Sequence, residues 1–314
     1  MNFRYRALGL DIVAPFALPG FWRSDRATTG REIEIELGPV PPRLEEPVCD
    51  RPLLQIDATG AVLFRVPGVA RYLLSERRRV TLELAPGAAL DRALDFLKGA
   101  PLALLCHQWG LVPLEAAGLA SNEGALLLGA GPGCGKSTLT LALAARGFRL
   151  MSDGLCALEA KGDCEPVIWP GFAQVKLWPD SLEALNIARP GEPNPGGRYM
   201  LSAESWFEPE ARPVAAIVSL RFARGGVAER VTRRRGGAAF ETLMNLQSLS
   251  DAGRGLSPGA NPMQAIGRLA ARAAVHEAWY PRGLEHLADL PDWLFARIDL
   301  ALSPPDRVTE AQCA

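Results

Sequence analysis

The feature that most constrains this chain is a glycine-rich loop between an apolar segment and a helical one. Residues 130–137 read AGPGCGKS, which matches the Walker A pattern G-x-x-x-x-G-K-[ST] with alanine in the first glycine position. Residues 125–128 form a short apolar run, typical of a strand buried on both faces. Residues 136–145 follow with a helical pattern. A turn that binds nothing would not need a lysine and a hydroxyl in this register, so the pattern predicts a nucleoside triphosphate site, with ATP and Mg²⁺ as ligands.

Each position of this loop has an expected role. Gly131, Gly133 and Gly135 let the backbone curl so that successive N–H groups face the phosphates. Lys136 is expected to reach the β- and γ-phosphates and Ser137 to ligate Mg²⁺, while the helix N-terminus adds its dipole. The predicted nucleotide contacts are Ala130, Gly131, Pro132, Gly133, Cys134, Gly135, Lys136, Ser137 and Thr138.

Asp153 is the second candidate residue. Residues 148–152 predict another buried strand, and the resulting βαβ unit would have a right-handed crossover that makes its two strands parallel. Ligands bind beyond the carboxyl ends of parallel strands. If the two strands are neighbours, about 4.8 Å apart, Asp153 lies beside the triphosphate, where it could hold Mg²⁺ or accept a proton. The competing interpretation is a turn residue, because Asp-Gly is a common turn pair.

The remaining pattern predicts an α/β protein of two parts. A β-rich amino-terminal domain at 1–104 could recognise substrate, and a P-loop domain would occupy 105–314. Residues 32–37 alternate polar and apolar side chains, as a half-buried strand does. Further predicted elements are a hairpin of 53–57 and 61–66, strands at 79–84 and 215–222, and helices at 88–105, 238–248 and 262–278.

Composition narrows the class of function. The formal net charge is -1, so no global field would attract nucleic acid or an anionic membrane. The start of the sequence lacks a secretory signal, and no apolar run reaches the ~20 residues that span a bilayer. The cysteines form no C-x-x-C pair and the histidines no metal-binding spacing, so we expect a cytoplasmic protein with free thiols. Whether it forms a homo-oligomer is left open.

Three segments carry a resemblance to a known family. They are GPGCGKSTLTLALAARGFRLMSDG (131–154), HQWGLVPLEAAGL (107–119) and PGFAQVKLWPDSLEAL (170–185), and together they resemble the bacterial HPr kinase/phosphorylase family and its serine-kinase relatives. The resemblance implies a fold related to phosphoenolpyruvate carboxykinase and transfer of the ATP γ-phosphate to a serine of a protein or peptide. It also implies that Asp153 is the general base, with Lys136 and Ser137 in the matching loop positions.

Two residues depart from the family pattern. Gly154 stands where the family has a second aspartate, and Glu115 where it has a histidine near the transferred phosphate. A glutamate there disfavours phosphate binding by about 1 kcal/mol or more at short range unless a cation neutralises it. Glu115 could instead replace a metal ligand, or it could turn to solvent.

These departures keep alternatives to a serine kinase open. One is a catalytically degenerate nucleotide-binding regulator or partner subunit, and another is a plain ATPase. The chain has neither the Asn-Lys-x-Asp motif of a GTPase nor the Leu-Ser-Gly-Gly-Gln signature of a transporter ATPase. The family's reverse, phosphate-removing activity is left open as well.

Several weaker candidates remain. Arg198-Tyr199 follow a glycine- and proline-rich stretch that could be a mobile active-site loop. Lys176 could touch substrate. We expect Trp178 to be a packing residue. An arginine-rich stretch could contact the γ-phosphate or an acidic peptide, with a solvated hairpin as the competing interpretation. Its members are Arg221, Arg224, Arg230, Arg233, Arg234 and Arg235.

Overall fold

The structure is a computed structural model that describes residues 2–131, 133–162, 164–223, 227–253, 256, 261–298 and 301–305. Two candidate residues, Pro132 and Arg224, lie outside the described residues. Within the described part, no helix is both long enough and apolar enough to cross a membrane. The protein is a mixed α/β molecule with two large sheets.

The first sheet is built from the amino-terminal part of the chain. Its nine strands are β1 (Phe3–Ala7), β2 (Leu10–Ala14), β3 (Trp22–Arg23), β4 (Glu32–Leu37), β5 (Pro47–Arg51), β6 (Leu54–Asp57), β7 (Val62–Val66), β8 (Ala70–Ser75) and β9 (Arg79–Leu84). They lie in the order β3-β1-β2-β4-β9-β8-β7-β6-β5. The predicted strands at 32–37 and 79–84 are confirmed, and so is the hairpin, because β6 and β7 pair antiparallel with Leu54 opposite Phe64.

Two helices follow this sheet, where the sequence predicts one. The predicted helix at 88–105 is wrong, since α1 (Leu90–Leu97) ends before Lys98 and α2 (Ala100–Gln108) begins after it. Pro101 explains the break, because proline has no backbone N–H and fits the first turn of a helix better than its interior.

The rest of the chain contains both strands and helices. In chain order these are β10 (Val112–Leu114), β11 (Ala116–Ser121), β12 (Gly124–Gly129), α3 (Lys136–Ala144), β13 (Arg149–Ser152), β14 (Cys156–Glu159), β15 (Val167–Trp169), β16 (Gln174–Leu177), α4 (Pro179–Ala184), β17 (Tyr199–Ser202), β18 (Arg212–Phe222), β19 (Arg230–Arg233), α5 (Gly237–Met244), α6 (Ser250–Gly253), α7 (Pro262–Arg272), β20 (Ala274–Tyr280) and α8 (Leu290–Phe295). The second sheet has the order β10-β14-β15-β18-β12-β11-β13, with β20 on β18 and β19 on β20, while β16 and β17 pair separately.

The predicted βαβ unit is confirmed in strand direction, but its two strands are not neighbours. β11 lies between β12 and β13 and is antiparallel to both, so β12 and β13 run parallel with one strand between them. The reason is local: β11 and β12 are joined by only two residues, as in a tight hairpin, and β11 therefore occupies the position beside β12. The other neighbour of β12 is β18, which is parallel to it.

Two other predictions need correction. The helix predicted at 262–278 ends at Arg272, and its last five residues, 274–278, belong to the strand β20. The valine and aromatic residues of β20 favour a strand, and it pairs in parallel with β18. The arginine-rich stretch does not form a hairpin of its own strands, because β18 and β19 both pair with β20.

The apolar side chains of β12 alternate between two cores. Leu126 and Leu128 pack with α3 and α8 on one face, and Leu127 packs with α5 and α7 on the other, as the two-residue period of a strand requires. A third core joins the first sheet, α1 and α2 to Leu155 and Phe172 of the second part. The predicted division at 104 falls within α2 and remains a prediction.

Candidate functional site

Strand ends bring the candidate residues to one edge of the second sheet. β12, β18 and β20 are parallel neighbours, so the loop after Gly129 and the residues Phe222 and Tyr280 lie at the same edge. β11 runs the other way and begins opposite Gly129, which places Glu115 there. β13 ends at this edge, and Asp153 follows it.

These residues line one cleft of about 1080 Å³. On the β18 and β20 side of the loop, its wall includes the apolar side chains of Phe222, Leu284 and Leu287 and also Arg282, which lies over the Phe222 ring at 5.9 Å. On the Asp153 side, the wall carries charged side chains that include Lys176 and Arg198. The cleft therefore has one end with several apolar side chains and another with several charges, with the glycine-rich loop between them.

The glycine-rich loop adopts a backbone that its glycines allow. Gly133 has a φ of 76° and Gly135 a φ of 71°, in the left-handed region that disfavours residues with a side chain. Gly135 is also the N-cap of α3, so the first N–H groups of α3 lack partners within the helix and lie at the cleft. At Gly131 φ is not left-handed and an added Cβ would meet no atom within 4 Å.

Two contacts hold the loop in place. The Lys136 ammonium donates to the carbonyl oxygen of Ala130 at 2.8 Å, so the lysine side chain folds over the loop. The Tyr280 hydroxyl, at the end of β20, donates to the carbonyl oxygen of Cys134. Thr138 is buried, and its hydroxyl lies 3.0 Å from that of Ser181 in α4, so this side chain also anchors the start of α3.

Ser137 and Asp153 meet although their strands are not neighbours. The Ser137 hydroxyl donates to Oδ1 of Asp153 at 2.8 Å, and the Lys176 backbone N–H donates to Oδ2 at 2.9 Å. Burial raises the pKa of Asp153, while these two hydrogen bonds and the nearby charges of Lys136 and Arg198 act in the opposite direction. The carboxylate is thus held in place beside the first turn of α3.

Glu115 lies in the same cleft and is exposed. Its Oε1 accepts a hydrogen bond from the Ser248 hydroxyl at 3.1 Å, and its N–H donates to Leu246 at 2.7 Å. The side chain is both exposed to solvent and directed to the site, so a metal-ligand role stays a prediction. Within the described residues, no group of three or more His, Cys, Asp or Glu side chains could hold a metal.

Gly154 has a backbone that an aspartate would strain. Its φ is 116°, and an added Cβ would meet no atom within 4 Å. The glycine that departs from the family pattern at this position therefore has a backbone conformation that residues with a side chain rarely adopt.

The cleft also contains residues that are only weaker candidates in the sequence, or that the sequence does not identify as candidates. Lys176 and Arg198 line it. So do Asp95 in α1 and Lys98 just after α1, and sequence reasoning missed both. The scarcity of lysine was an available signal, because three of the four lysines line this cleft. Trp178 is 51% exposed and lines the cleft, so it is not a core packing residue.

The arginine-rich stretch lies away from this site where it is described. Arg221 pairs with Glu277 at 3.3 Å, and both Arg221 and Arg230 stack on Trp279. None of the described arginines between 221 and 235 lines the cleft. The described part of this stretch therefore gives no support to the predicted contact between one of these arginines and the γ-phosphate.

Comparison with known proteins adds little to this geometry. No family model matches the chain, and no curated protein sequence matches it. Among solved structures, it is similar to the Hpr(Ser) kinase/phosphatase from Coxiella burnetii, with 12% identity, a TM-score of 0.32, and coverage of 59% of this chain and 93% of that chain. A similarity at that TM-score is too weak to show that the chain belongs to this family, so the family resemblance stays a prediction.

Proposed function

We propose that this protein is an ATP-dependent kinase that transfers the γ-phosphate of Mg-ATP to a serine hydroxyl of a protein or peptide. The observation that carries the proposal is the 2.8 Å contact between the Ser137 hydroxyl and the Asp153 carboxylate. It joins two separate segments beside a glycine-rich loop and a helix N-terminus, which is where phosphate groups bind. The cleft of about 1080 Å³ lies at the upper end of the roughly 300–1,000 Å³ of typical small-molecule sites.

Ser137 and Asp153 are the residues that would hold Mg²⁺. Their side-chain oxygens share a hydrogen bond of 2.8 Å, which a bound ion would replace, and oxygen atoms are the ligands that Mg²⁺ prefers. When bound, Mg²⁺ would neutralise negative charge on the phosphate oxygens.

The loop and the apolar wall would share the binding of the nucleotide. The N–H groups of the loop and of the first turn of α3 would donate to the phosphates, and the Lys136 ammonium would exchange the Ala130 carbonyl for a phosphate oxygen. The apolar wall at Phe222, Leu284 and Leu287 offers a surface on which a nucleobase can pack. We therefore expect the base to point toward β18 and β20 and the γ-phosphate toward Asp153.

Asp153 is the proposed proton acceptor. An acceptor serine entering from the charged end of the cleft would place its hydroxyl between the Asp153 carboxylate and the γ-phosphate. As the serine oxygen bonds to phosphorus, its proton passes to Asp153 and the bond between the γ-phosphorus and ADP breaks. Burial raises the pKa of Asp153, which favours proton acceptance, whereas directly bound Mg²⁺ would act in the opposite direction. Lys136 would neutralise charge on the phosphates.

Single-turnover transfer from γ-labelled ATP tests the proposal. The protein is mixed with Mg-ATP and a library of serine-containing peptides, and with a matched library in which alanine replaces serine. Label on serine peptides alone, lost in the Asp153→Asn variant, is the expected result. Free phosphate formed at the same rate with both libraries would instead indicate an ATPase, and tight ATP binding without turnover would indicate a degenerate regulator.

A further inference from the structure

Lysine is rare in this chain, and its distribution is uneven. Of the four lysines, Lys98, Lys136 and Lys176 line the cleft. The fourth, Lys161, is 66% exposed and pairs with Glu159 on the surface. Lysine is among the residues least often buried, yet the Lys98 side chain is only 7% exposed. Lys136 belongs to the glycine-rich loop, so the other two lysines in the cleft need a separate explanation.

Lys98 and Lys176 share one carboxylate. The Asp95 Oδ1 atom lies 3.6 Å from the Lys98 ammonium and 3.4 Å from that of Lys176. Lys98 also donates to the side-chain oxygen of Gln174 at 3.0 Å. The cluster of Asp95, Lys98 and Lys176 thus carries one positive charge in excess, although the exposed carboxylate of Asp91 also acts on Lys98.

Two ammonium groups can donate more hydrogen bonds than this cluster uses. Each has three N–H donors, and among the described side chains Lys98 and Lys176 form hydrogen bonds or ion pairs only with Asp95 and Gln174. The Lys98 ammonium also lies over the Phe21 ring, 5.9 Å from its centroid. Burial lowers the pKa of Lys98 to about 8, and the charge of Lys176 contributes. An incoming anion would oppose both effects, because it would stabilise the charged form of the buried lysine.

The cluster lies next to the proposed reaction centre. The backbone N–H of Lys176 contacts Asp153, so the Lys176 ammonium lies within one lysine side chain, roughly 6 Å, of that backbone. An extended peptide advances about 3.3–3.6 Å per residue. A side chain one or two residues from the reacting serine can therefore reach the cluster.

We propose that Asp95, Lys98 and Lys176 form an anion-binding subsite for the acceptor, and that the preferred acceptor carries a carboxylate or a phosphate one or two residues from its serine. The inference rests on the proposed function, because it assumes that the acceptor serine enters beside Asp153. Arg198, which stacks on Trp178 at 5.7 Å, adds a positive charge at the same end of the cleft, whose wall also carries the carboxylates of Asp153 and Asp180.

Equilibrium binding of three labelled peptides tests this subsite. Each peptide has one central serine, and the residues on both sides of it are Asp in the first peptide, phosphoserine in the second and Asn in the third. They are titrated by fluorescence anisotropy into the full chain saturated with Mg²⁺ and a non-hydrolysable ATP analogue. We expect the Asp peptide, the phosphoserine peptide or both to bind at least about tenfold more tightly than the Asn peptide, which corresponds to about 1.4 kcal/mol. The two anionic peptides distinguish a carboxylate from a phosphate.

Three lysine variants assign the preference to the cluster. Lys98→Gln and Lys176→Gln are expected to bring the ratio of affinities close to one, while Lys161→Gln keeps the wild-type ratio. A ratio near one in the wild type, or a ratio unchanged in both cluster variants, would overturn the proposal. If Lys98→Gln does not fold, Lys176→Gln decides, since its side chain is 25% exposed.

Nucleotide binding by the same variants separates this inference from the proposed function. We expect the affinity for the ATP analogue to stay within about twofold in both cluster variants. A loss of analogue affinity equal to the loss of peptide affinity would assign the cluster to the nucleotide and overturn the subsite. If the wild type binds no analogue, the proposed function fails, and the peptide ratio measured without nucleotide still decides the subsite.

Discussion

The proposed enzymatic role of Asp153 comes with a cost to stability. Burial raises its pKa, so between the unfolded-state pKa, about 3.9, and the higher folded-state pKa, the folded protein binds more protons. In that window the free energy of unfolding falls as pH rises. Above the folded-state pKa, the folded protein carries a charge that its surroundings disfavour.

Replacing Asp153 by asparagine should therefore stabilise the protein while removing its activity. Asparagine can keep both hydrogen bonds, because its oxygen accepts from the Lys176 N–H and its amide donates to Ser137. We expect a higher melting temperature than the wild type at pH 7, a gap that narrows as pH falls through the raised pKa, and a loss of transfer of about 10²–10⁴-fold. A variant that melts below the wild type at pH 7, or a gap that widens toward acid pH, would contradict this account.

Gly154 can be tested through its backbone. At a φ of 116°, both Gly154→Asp and Gly154→Ala should lower the free energy of unfolding by about 1–2 kcal/mol. Gly131→Ala is the matched control, because an added Cβ there meets no atom within 4 Å and φ is not left-handed, and it should change stability by at most about 0.5 kcal/mol. Denaturant unfolding measures the stability of all three variants. If Gly154→Asp is as stable as the wild type, backbone strain does not explain why glycine stands at this position.

The strand β20 contributes to the site through its last residue. Tyr280 donates to the Cys134 carbonyl and so connects the end of β20 to the glycine-rich loop. Tyr280→Phe removes that hydrogen bond, worth about 0.5–1.5 kcal/mol. We expect Mg-ATP affinity to fall roughly 2- to 12-fold in calorimetric titrations, because the loop is less constrained.

A second buried tyrosine provides the control for this measurement. Tyr72 donates to the Ala93 carbonyl at 2.8 Å and does not line the cleft. Tyr72→Phe should therefore affect stability and leave Mg-ATP affinity unchanged. Equal effects of the two substitutions on affinity would show that Tyr280 does not act through the loop.

Local patterns were enough to predict some elements and not others. β4, the β6–β7 hairpin, β12 and α3 depend on short-range periodicity and turn residues, and these predictions hold. The sequence predicts a helix at 262–278, which overlaps most of β20, whereas the pairing of β20 with β18 is a long-range contact. The same limit applies to β11, whose insertion beside β12 no spacing within 124–154 reveals.

The candidate site divides in the same way. Lys136, Ser137 and Asp153 follow from a loop motif and a strand end, which are local signals. Asp95 lies on α1 and Lys98 directly follows it. Their position beside Lys176 depends on long-range contacts with β16, the Lys98–Gln174 hydrogen bond and the Asp95–Lys176 ion pair. A sequence read segment by segment cannot supply that contact, and only the scarcity of lysine hints at it.

The two parts of the molecule share a core, and this limits how the chain can be divided. Leu155, Phe172 and Leu256 pack with side chains of the first sheet, α1 and α2, and the Arg6–Glu210 ion pair at 2.6 Å also joins the two parts. A fragment of residues 105–314 would expose these apolar side chains to water. We expect it to lack a cooperative thermal transition in calorimetry, and a transition near that of the full chain would show that the second part folds alone.

The central claim is that the glycine-rich loop, with Lys136 and Ser137, binds the phosphates of Mg-ATP. Isothermal titration of the full chain with Mg-ATP tests it directly, with Lys136→Ala and the surface variant Lys161→Ala titrated beside the wild type. We expect one site per chain in the wild type and in Lys161→Ala, and a loss of at least about 100-fold in affinity, or about 2.7 kcal/mol, in Lys136→Ala. No measurable heat in the wild type, or equal binding by folded Lys136→Ala, would contradict the claim.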